Sequence, residues 1–282
     1  MNALEKPITE AAQATEELPN ILTVLEHLFP KSRVIHFLAH WENLVFSFLI
    51  LGLISYTALR AAQKKSFLPR GIQNLWEIFV EFITSFVTGI LGPKGLEHVP
   101  YLGTLFIYIL LQNWLGMIPF MKSPTSAWST TIALALITTV YVQYVGIREQ
   151  GFAHYLKHLS GNPVGILGLV LVPLMLIINV SIEFMAVPLS LSLRLFANVS
   201  SEDKLIYKFA ELNVMCYGLS PWLKIVAGAL GMLFQLFANL LVIVFSLVQA
   251  FVFLLLSTVY ISLIMPHGDD HKAHEKISGS HH

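Results

Sequence analysis

The chain has 282 residues, of which 55% are hydrophobic and only 12% are charged, whereas a soluble domain carries roughly 25% charged residues. Its 17 basic and 17 acidic side chains balance to a formal net charge of zero, and its mean hydropathy is +0.69. This composition excludes a disordered chain and a nucleic-acid-binding protein, and the single cysteine excludes an internal disulfide.

Long uncharged runs account for the low charge content. The stretches 43–59, 98–121, 123–147 and 225–265 contain no Asp, Glu, Lys or Arg, and 161–201 contains two such residues. A helix needs about 20 apolar residues to cross about 30 Å of hydrocarbon. We therefore predict an all-α polytopic membrane protein with about five membrane-crossing helices.

The chain begins with an acidic segment and continues into a basic loop. Residues 1–30 contain five acids and one lysine and lack the basic start of a secretory signal. The loop after the first span carries only positive charges, which the positive-inside rule places in the cytoplasm: Arg60, Lys64, Lys65 and Arg70. We predict an extracytoplasmic arm over 1–40, a membrane domain over 41–265 and a polar cytoplasmic tail over 266–282.

Residues 72–91 have the pattern of an amphipathic helix. Polar side chains recur every three or four residues opposite a row of apolar ones: Gln73, Glu77, Glu81, Thr84 and Thr88. Two acids in the middle favour a helix along the cytoplasmic interface over a span. The alternative is a helix packed on other protein.

Two apolar segments near the C-terminus are too long for a perpendicular crossing. Residues 161–201 and 225–265 would each extend about 60 Å as continuous helix. We predict two long tilted helices over about 164–209 and 222–265, the first bent near Pro173 and Pro188. The alternative is that each segment breaks into two short pieces.

Each long helix is predicted to carry one polar ridge. At about 100° per residue, six polar residues of the first helix fall within an arc of about 100°: Asn179, Glu183, Ser190, Arg194, Asn198 and Ser201. On the last helix a narrower stripe is predicted: Lys224, Gln235, Asn239, Ser246, Gln249, Ser257 and Tyr260. A polar ridge in hydrocarbon must face water or a partner.

Arg194 and Glu183 are the only charged residues of 161–201. An arginine at membrane depth costs at least roughly 2.5–3.5 kcal/mol and cannot lose its charge, whereas a glutamate can. A fixed cation beside groups that gain and lose protons suits ion translocation. The alternative is a buried Glu183–Arg194 ion pair, although about 16 Å of helical rise separates the two residues.

Three sequence strings carry a family resemblance. Residues 190–198 read SLSLRLFAN, 248–262 read VQAFVFLLLSTVYIS, and 113–119 read NWLGMIP. These resemble the a-subunit family of F-type ATP synthases, the stator subunit of the membrane motor, and the likeness extends from about residue 40 to 265. A Ser201–Glu202 pair stands where many relatives have Ala-Gly, which leaves open whether Glu202 or Asp203 relays the ion.

The resemblance implies a function and a set of partners. Arg194 would face a ring of c subunits, attract each ring carboxylate as it loses its proton, and block leakage between two aqueous half-channels, with Asn198 and Gln249 beside it. The expected half-channel residues are Glu183, Glu202, Asp203, Gln235, Asn239, Ser246 and Tyr260. The resemblance further implies contact with peripheral-stalk b subunits, a bacterial plasma membrane, no cofactor, no metal, and no catalytic activity of the chain itself.

Other sites and classes are weaker candidates. His36 and His40, and likewise His154 and His158, have metal-binding spacing, but no carboxylate or cysteine completes either set. The tail holds a further histidine and aspartate cluster: His267, Asp269, Asp270, His271 and His274. A secondary transporter remains the alternative, although it should show internal repeats and unwound helices. An intramembrane enzyme would need more reactive groups at membrane depth than Glu183.

Overall fold

The computed structural model describes residues 20–30, 32–63, 71–118, 120–152, 155, 160, 165–215 and 221–265. Within these residues there is no strand. The α-helices, in chain order, are α1 Ile21–Leu28, α2 Arg33–His40, α3 Glu42–Gln63, α4 Ile72–Leu91, α5 Val99–Leu115, α6 Trp128–Gln150, α7 Gly165–Ser181, α8 Val187–Met215 and α9 Pro221–Ile264. Short 3₁₀ helices, Pro93–Glu97 and Pro124–Ser126, precede α5 and α6.

Among the described residues, five helices are long and apolar enough to cross a membrane. They are Glu42–Gln63, Ile72–Leu91, Trp128–Gln150, Val172–Phe209 and Ile225–Ile264. The prediction of an all-α polytopic membrane protein is confirmed. These are not the same five segments that the sequence predicts. The prediction counts the segment of α5 as a span and places α4 at the interface, whereas by length and composition α4 is among the five and α5, with 17 residues, is not. A length of about 17 residues still lies within the range of spanning helices, and the interfacial position of α4 stays a prediction.

Helix α4 turns one apolar side toward the rest of the chain. Ile83 and Val87 are fully buried, and Phe79 and Phe86 pack against the same core. Glu77 and Glu81 are exposed, as is the neighbouring Phe82. The helix is therefore amphipathic as its sequence predicts, with an additional apolar strip left uncovered by this chain.

The main core lies where α5, α6, α8 and α9 meet, with α4 against one side. Its fully buried side chains come from all of these helices: Ile83, Leu102, Ile109, Ala135, Leu195, Ala250, Leu254 and Ile261. Lipid tails are as apolar as these side chains, so close packing and hydrogen bonds between helices stabilise the assembly more than expulsion of water does.

Helices α7 and α8 form one continuous rod that is interrupted by a π-helical turn. The turn covers Ile182–Ala186 and contains Glu183. Pro188 follows directly in α8 and has no backbone N–H for the carbonyl of Phe184, so the regular bonding pattern cannot continue through this point. From residue 165 to 215 the rod would extend about 76 Å, and α9 about 66 Å. In the described ranges neither segment breaks into two short helices.

One end of α6 is tied to the start of α5 by polar contacts around His98. Lys94 pairs with Glu149 at 3.6 Å, and Arg148 pairs with Glu97 at 3.5 Å. His98 Nδ1 lies 2.8 Å from the Tyr141 hydroxyl, and the residue is only 5% exposed. Burial lowers the pKa of His98 below its ordinary value of 6.5, outweighing Glu97 and Glu149, which raise the pKa.

His98 should make stability depend on pH. Because its pKa is lower in the folded chain, the unfolded chain binds more protons, and stability is lost as pH falls below about 6.5. The melting temperature in detergent, measured between pH 8 and pH 5, should therefore fall more steeply for the wild type than for His98→Phe. The exposed His40 supplies the control variant His40→Phe. Parallel pH profiles for all three proteins would contradict this expectation.

Candidate functional site

Arg194 lies on the outer side of α8. Its neighbours Leu191 and Leu195 are buried in the core, whereas Arg194 itself is exposed. Within the described part of the chain it forms neither a hydrogen bond nor an ion pair, so the alternative of a Glu183–Arg194 pair is wrong. A guanidinium on a helix of this apolarity requires water or an acidic partner, and this chain supplies no such carboxylate to it among the described residues.

One turn further along α8, an amide pair connects the helix to α9. Asn198 Nδ2 donates to Gln249 Oε1 at 2.7 Å. Gln249 is only 4% exposed, and its Nε2 is buried without a hydrogen-bond partner among the described residues. The predicted neighbours of Arg194 are thus held in contact with each other.

A second polar contact joins the same two helices. Ser246 Oγ donates to Glu202 Oε2 at 3.1 Å, and both residues are buried. Ser246 lies three residues before Gln249, as expected for one turn of α9. Polar side chains of α8 and α9 therefore meet at two successive levels.

A cavity of about 210 Å³ lies beyond this second contact, and we call it the Asp203 cavity. Its polar lining comes from α8, α9 and the loop between α5 and α6: Lys122, Ser123, Asp203, Gln235 and Asn239. Gln235 Nε2 lies 3.4 Å from Asn239 Oδ1, which is a weak hydrogen bond. Three residues of the predicted site therefore share one cavity.

A separate cavity of about 340 Å³, the Glu183 cavity, lies among α6, the π turn, α8 and α9. Glu183 and Tyr260 line it together with Thr138, Thr139 and Gln143. Val187 and Leu191 are among its apolar wall residues. The Glu183 cavity therefore holds one carboxylate among uncharged polar side chains of α6 and α9.

Glu183 is held by two side chains that the sequence did not single out. Gln143 Nε2 donates to Glu183 Oε2 at 3.1 Å, and the Tyr155 hydroxyl donates to the same oxygen at 3.0 Å. Tyr155 also contacts Gln143 Oε1. Burial, followed by the adjacent carboxylate, raises the pKa of the Tyr155 hydroxyl, so it keeps its proton and remains a donor.

The π turn divides the polar ridge predicted for the first long helix. Glu183 faces the same cavity as Val187 and Leu191, whereas Arg194 is on the exposed side of α8. The prediction of a single ridge assumed a uniform rotation of about 100° per residue, which a π-helical turn does not keep. Arg194 therefore lies between two cavities along the rod, about 16 Å of rise from Glu183 and about 14 Å from Asp203.

Of the two residues that bond Glu183, the sequence could have indicated one but not the other. Gln143 is the only amide side chain in the uncharged stretch 123–147, which was a usable signal, whereas nothing in its spacing marked Tyr155. Across the described residues no group of three metal-binding side chains occurs, and His36 instead lies 2.7 Å from Glu26. His154, His158, the tail cluster, half of the N-terminal arm and most of the basic loop lie outside the described residues, as does the side chain of Lys224.

Comparison with known proteins settles the family. A model of the ATP synthase A chain family matches residues 44–262. The chain belongs to the ATP synthase A chain family. It is 42% identical over 260 residues to the ATP synthase subunit a of Protochlamydia amoebophila, a match that covers 92% of each chain.

More distant relatives agree with this assignment. The chain is 33% identical to ATP synthase subunit a of Solidesulfovibrio magneticus, over 85% of this chain and 91% of the relative. It is likewise 33% identical to ATP synthase subunit a of Helicobacter pylori strain P12, over 74% of this chain and 83% of the relative. The protein is therefore an integral membrane protein of the ATP synthase membrane sector.

The Asn198–Gln249 contact should be measurable as a coupling energy. In a double-mutant cycle of Asn198→Ala and Gln249→Ala, we expect a coupling of about 0.6 kcal/mol and at most about 1.7 kcal/mol, the range for hydrogen bonds between membrane helices. Unfolding of the purified chain in mixed micelles provides the measurement. The exposed Ser190 gives the control, because Ser190→Ala should be additive with Gln249→Ala. Additivity in the Asn198 cycle would contradict the contact.

Proposed function

We propose that this chain is the proton-translocating stator subunit of an F-type ATP synthase, with Arg194 acting between two half-channels. The observation that carries the proposal is the position of Arg194: it is an exposed cation on α8 between the Asp203 cavity and the Glu183 cavity. Each cavity contains a carboxylate that can exchange protons. Neither cavity is lined by Arg194.

The partner that fits Arg194 is a ring of c subunits carrying one carboxylate each. Long exposed apolar side chains cover the first half of α9, which is suited to contact with lipid or an apolar partner helix: Ile225, Met232, Leu233, Leu236, Phe237 and Leu240. An exposed arginine next to the exposed Leu193 of α8 would select a partner that brings a carboxylate to membrane depth. Peripheral-stalk b subunits are proposed as further partners on the basis of the family alone.

The proposed path begins at the Asp203 cavity on the extracytoplasmic side. A proton passes by way of Glu202 or Asp203 to a ring carboxylate, which becomes neutral and can rotate into lipid because the cost of burying its charge is gone. After nearly a full turn the protonated site reaches the Glu183 cavity and releases its proton toward the cytoplasm. The carboxylate that is left is attracted to Arg194 before it accepts the next proton.

The arginine contributes direction rather than energy. The membrane potential supplies roughly 2.3 kcal/mol per proton per 100 mV, in addition to any pH difference. Arg194 keeps its charge at any accessible pH, so it cannot pass a proton from one cavity to the other. The proposed orientation has the N-terminus outside and the C-terminus in the cytoplasm of a bacterial plasma membrane, and nucleotide chemistry takes place in other subunits.

Replacement of Arg194 tests this function. Arg194→Ala should abolish ATP-driven proton pumping in inverted membrane vesicles while the complex still assembles. Arg194→Lys should also fail, because an ammonium lacks the planar fork and can lose its proton. Arg60→Ala, at an arginine near the end of α3 whose guanidinium lies over Tyr56, is the control and should pump normally. Pumping at the wild-type rate in Arg194→Ala would refute the proposal.

Copurification tests the partners. The tagged chain, extracted in mild detergent, should carry a small helical-hairpin protein in a ring of many copies and a soluble ATPase. A secondary transporter would behave differently, because it should transport a solute when the chain is reconstituted alone. Solute transport by the isolated chain would therefore exclude the stator function.

A further inference from the structure

A largely buried ion pair connects the N-terminal part of the chain to the wall of the Asp203 cavity. Lys122 Nζ lies 2.8 Å from Glu42 Oε1, and the two side chains are only 18% and 16% exposed. Lys122 itself lines the Asp203 cavity. A buried ion pair contributes little net stability, because the cost of removing both charges from water offsets their attraction. Its position at a cavity that exchanges protons therefore requires another explanation.

The N-terminal segment holds Glu42 in place. Asn20 Nδ2 donates to Glu42 Oε2 at 2.6 Å, while Asn20 also caps the start of α1. The backbone N–H of Ile21 donates to the carbonyl of Phe120 at 2.8 Å, and Leu22 is buried against α3 and α5. Each Glu42 carboxylate oxygen thus has a partner of its own.

The loop that carries Lys122 approaches Asp203 closely. A methyl group at Gly116 would lie 3.0 Å from Ser123 Cβ and 3.3 Å from Asp203 Oδ1. The charged groups around the cavity are Lys122 and Asp203 in its wall, Glu42 behind Lys122, and Glu202 adjacent in α8 and bonded to Ser246. Among the described side chains of α9, the uncharged Gln235 and Asn239 line the cavity.

We propose that Lys122 and Glu42 together set the pH range over which the Asp203 cavity takes up protons. The ammonium of Lys122 makes the potential in the cavity more positive and repels protons, and Glu42 partly cancels this effect. The two residues are positioning residues, since they act through the potential at the proton-accepting groups and exchange no proton themselves. This proposal rests on the function proposed above.

Opposite shifts of the two single variants test the proposal. The assay is ATP synthesis by the whole complex in liposomes at fixed membrane potential and fixed lumenal pH, with the pH varied on the side of the Asp203 cavity. Lys122→Met leaves the charge of Glu42 uncompensated, so protons concentrate in the cavity. The midpoint, which is the pH at which ATP synthesis is half-maximal, should therefore rise by about half a unit to one pH unit. Glu42→Gln keeps an acceptor for Asn20 and removes one negative charge beside Lys122, so the pH of half-maximal activity should fall by a similar amount.

The combined variant and two controls separate charge from structure. Lys122→Met with Glu42→Gln should return the midpoint toward the wild-type value, and Lys122→Arg should leave it unchanged. Lys94→Met removes a lysine paired with Glu149 at the other end of α6 and should shift nothing. If Lys122→Met fails to assemble, the fall in Glu42→Gln tests the proposal alone.

The outcomes distinguish this proposal from the one on which it rests. Midpoints that coincide with the wild type, or that move in the same direction in both single variants, would overturn the role of Lys122 and Glu42. Arg194→Ala is measured alongside in the same liposomes. If Arg194→Ala is inactive while the Lys122 and Glu42 midpoints are unchanged, only the present proposal fails. If Arg194→Ala is active, the function itself fails.

Discussion

The constraint on which this structure depends is that a polar group inside hydrocarbon must be paired within the protein or face a partner or water. Four polar side chains of α8 and α9 meet it by pairing across the two helices: Asn198 with Gln249, and Glu202 with Ser246. Glu183 meets it through Gln143 and Tyr155. Arg194 has no such pairing among the described residues, so its side of α8 must face water or a partner.

The same pairing fixes how the two long helices sit against each other. Because apolar packing in lipid gains little from expelling water, hydrogen bonds and close contact determine the register between helices. A slip of one residue would separate both polar contacts at once, so the contacts that hold the rods together also keep Arg194 between its two cavities.

The sequence was sufficient for the helical class and for the two long helices, because charge depletion and helical periodicity are local properties. It named Asn198, Gln249, Ser246 and Glu202 as site residues, but the hydrogen bonds that pair them come only from the folded chain. It was not sufficient for the division of the polar ridge. Pro188 predicts an irregularity in the helix, but the sequence does not show that this irregularity is a π turn that contains Glu183. Tyr155 could not be predicted either, since its contact depends on how the segment after α6 returns to the membrane domain. The predicted spans and the five long apolar helices of the structure are not the same set, because hydropathy and length do not distinguish an interfacial helix such as the one predicted for α4 from a crossing helix.

The π turn also sets the angle between Glu183 and Arg194. A π-helical turn bonds i to i+5 instead of i to i+4, so it takes up one residue more than an α-helical turn while it sweeps about the same angle around the axis. Deleting one residue from Ile182–Ala186 would therefore restore a regular helix and nearly keep the angle between the two charged side chains. Converting the turn to α-helix at constant length would instead rotate the segment before it by roughly 100° relative to α8. The turn thus functions as an angular spacer, which turns Glu183 toward α6 while Arg194 stays on the exposed side of α8.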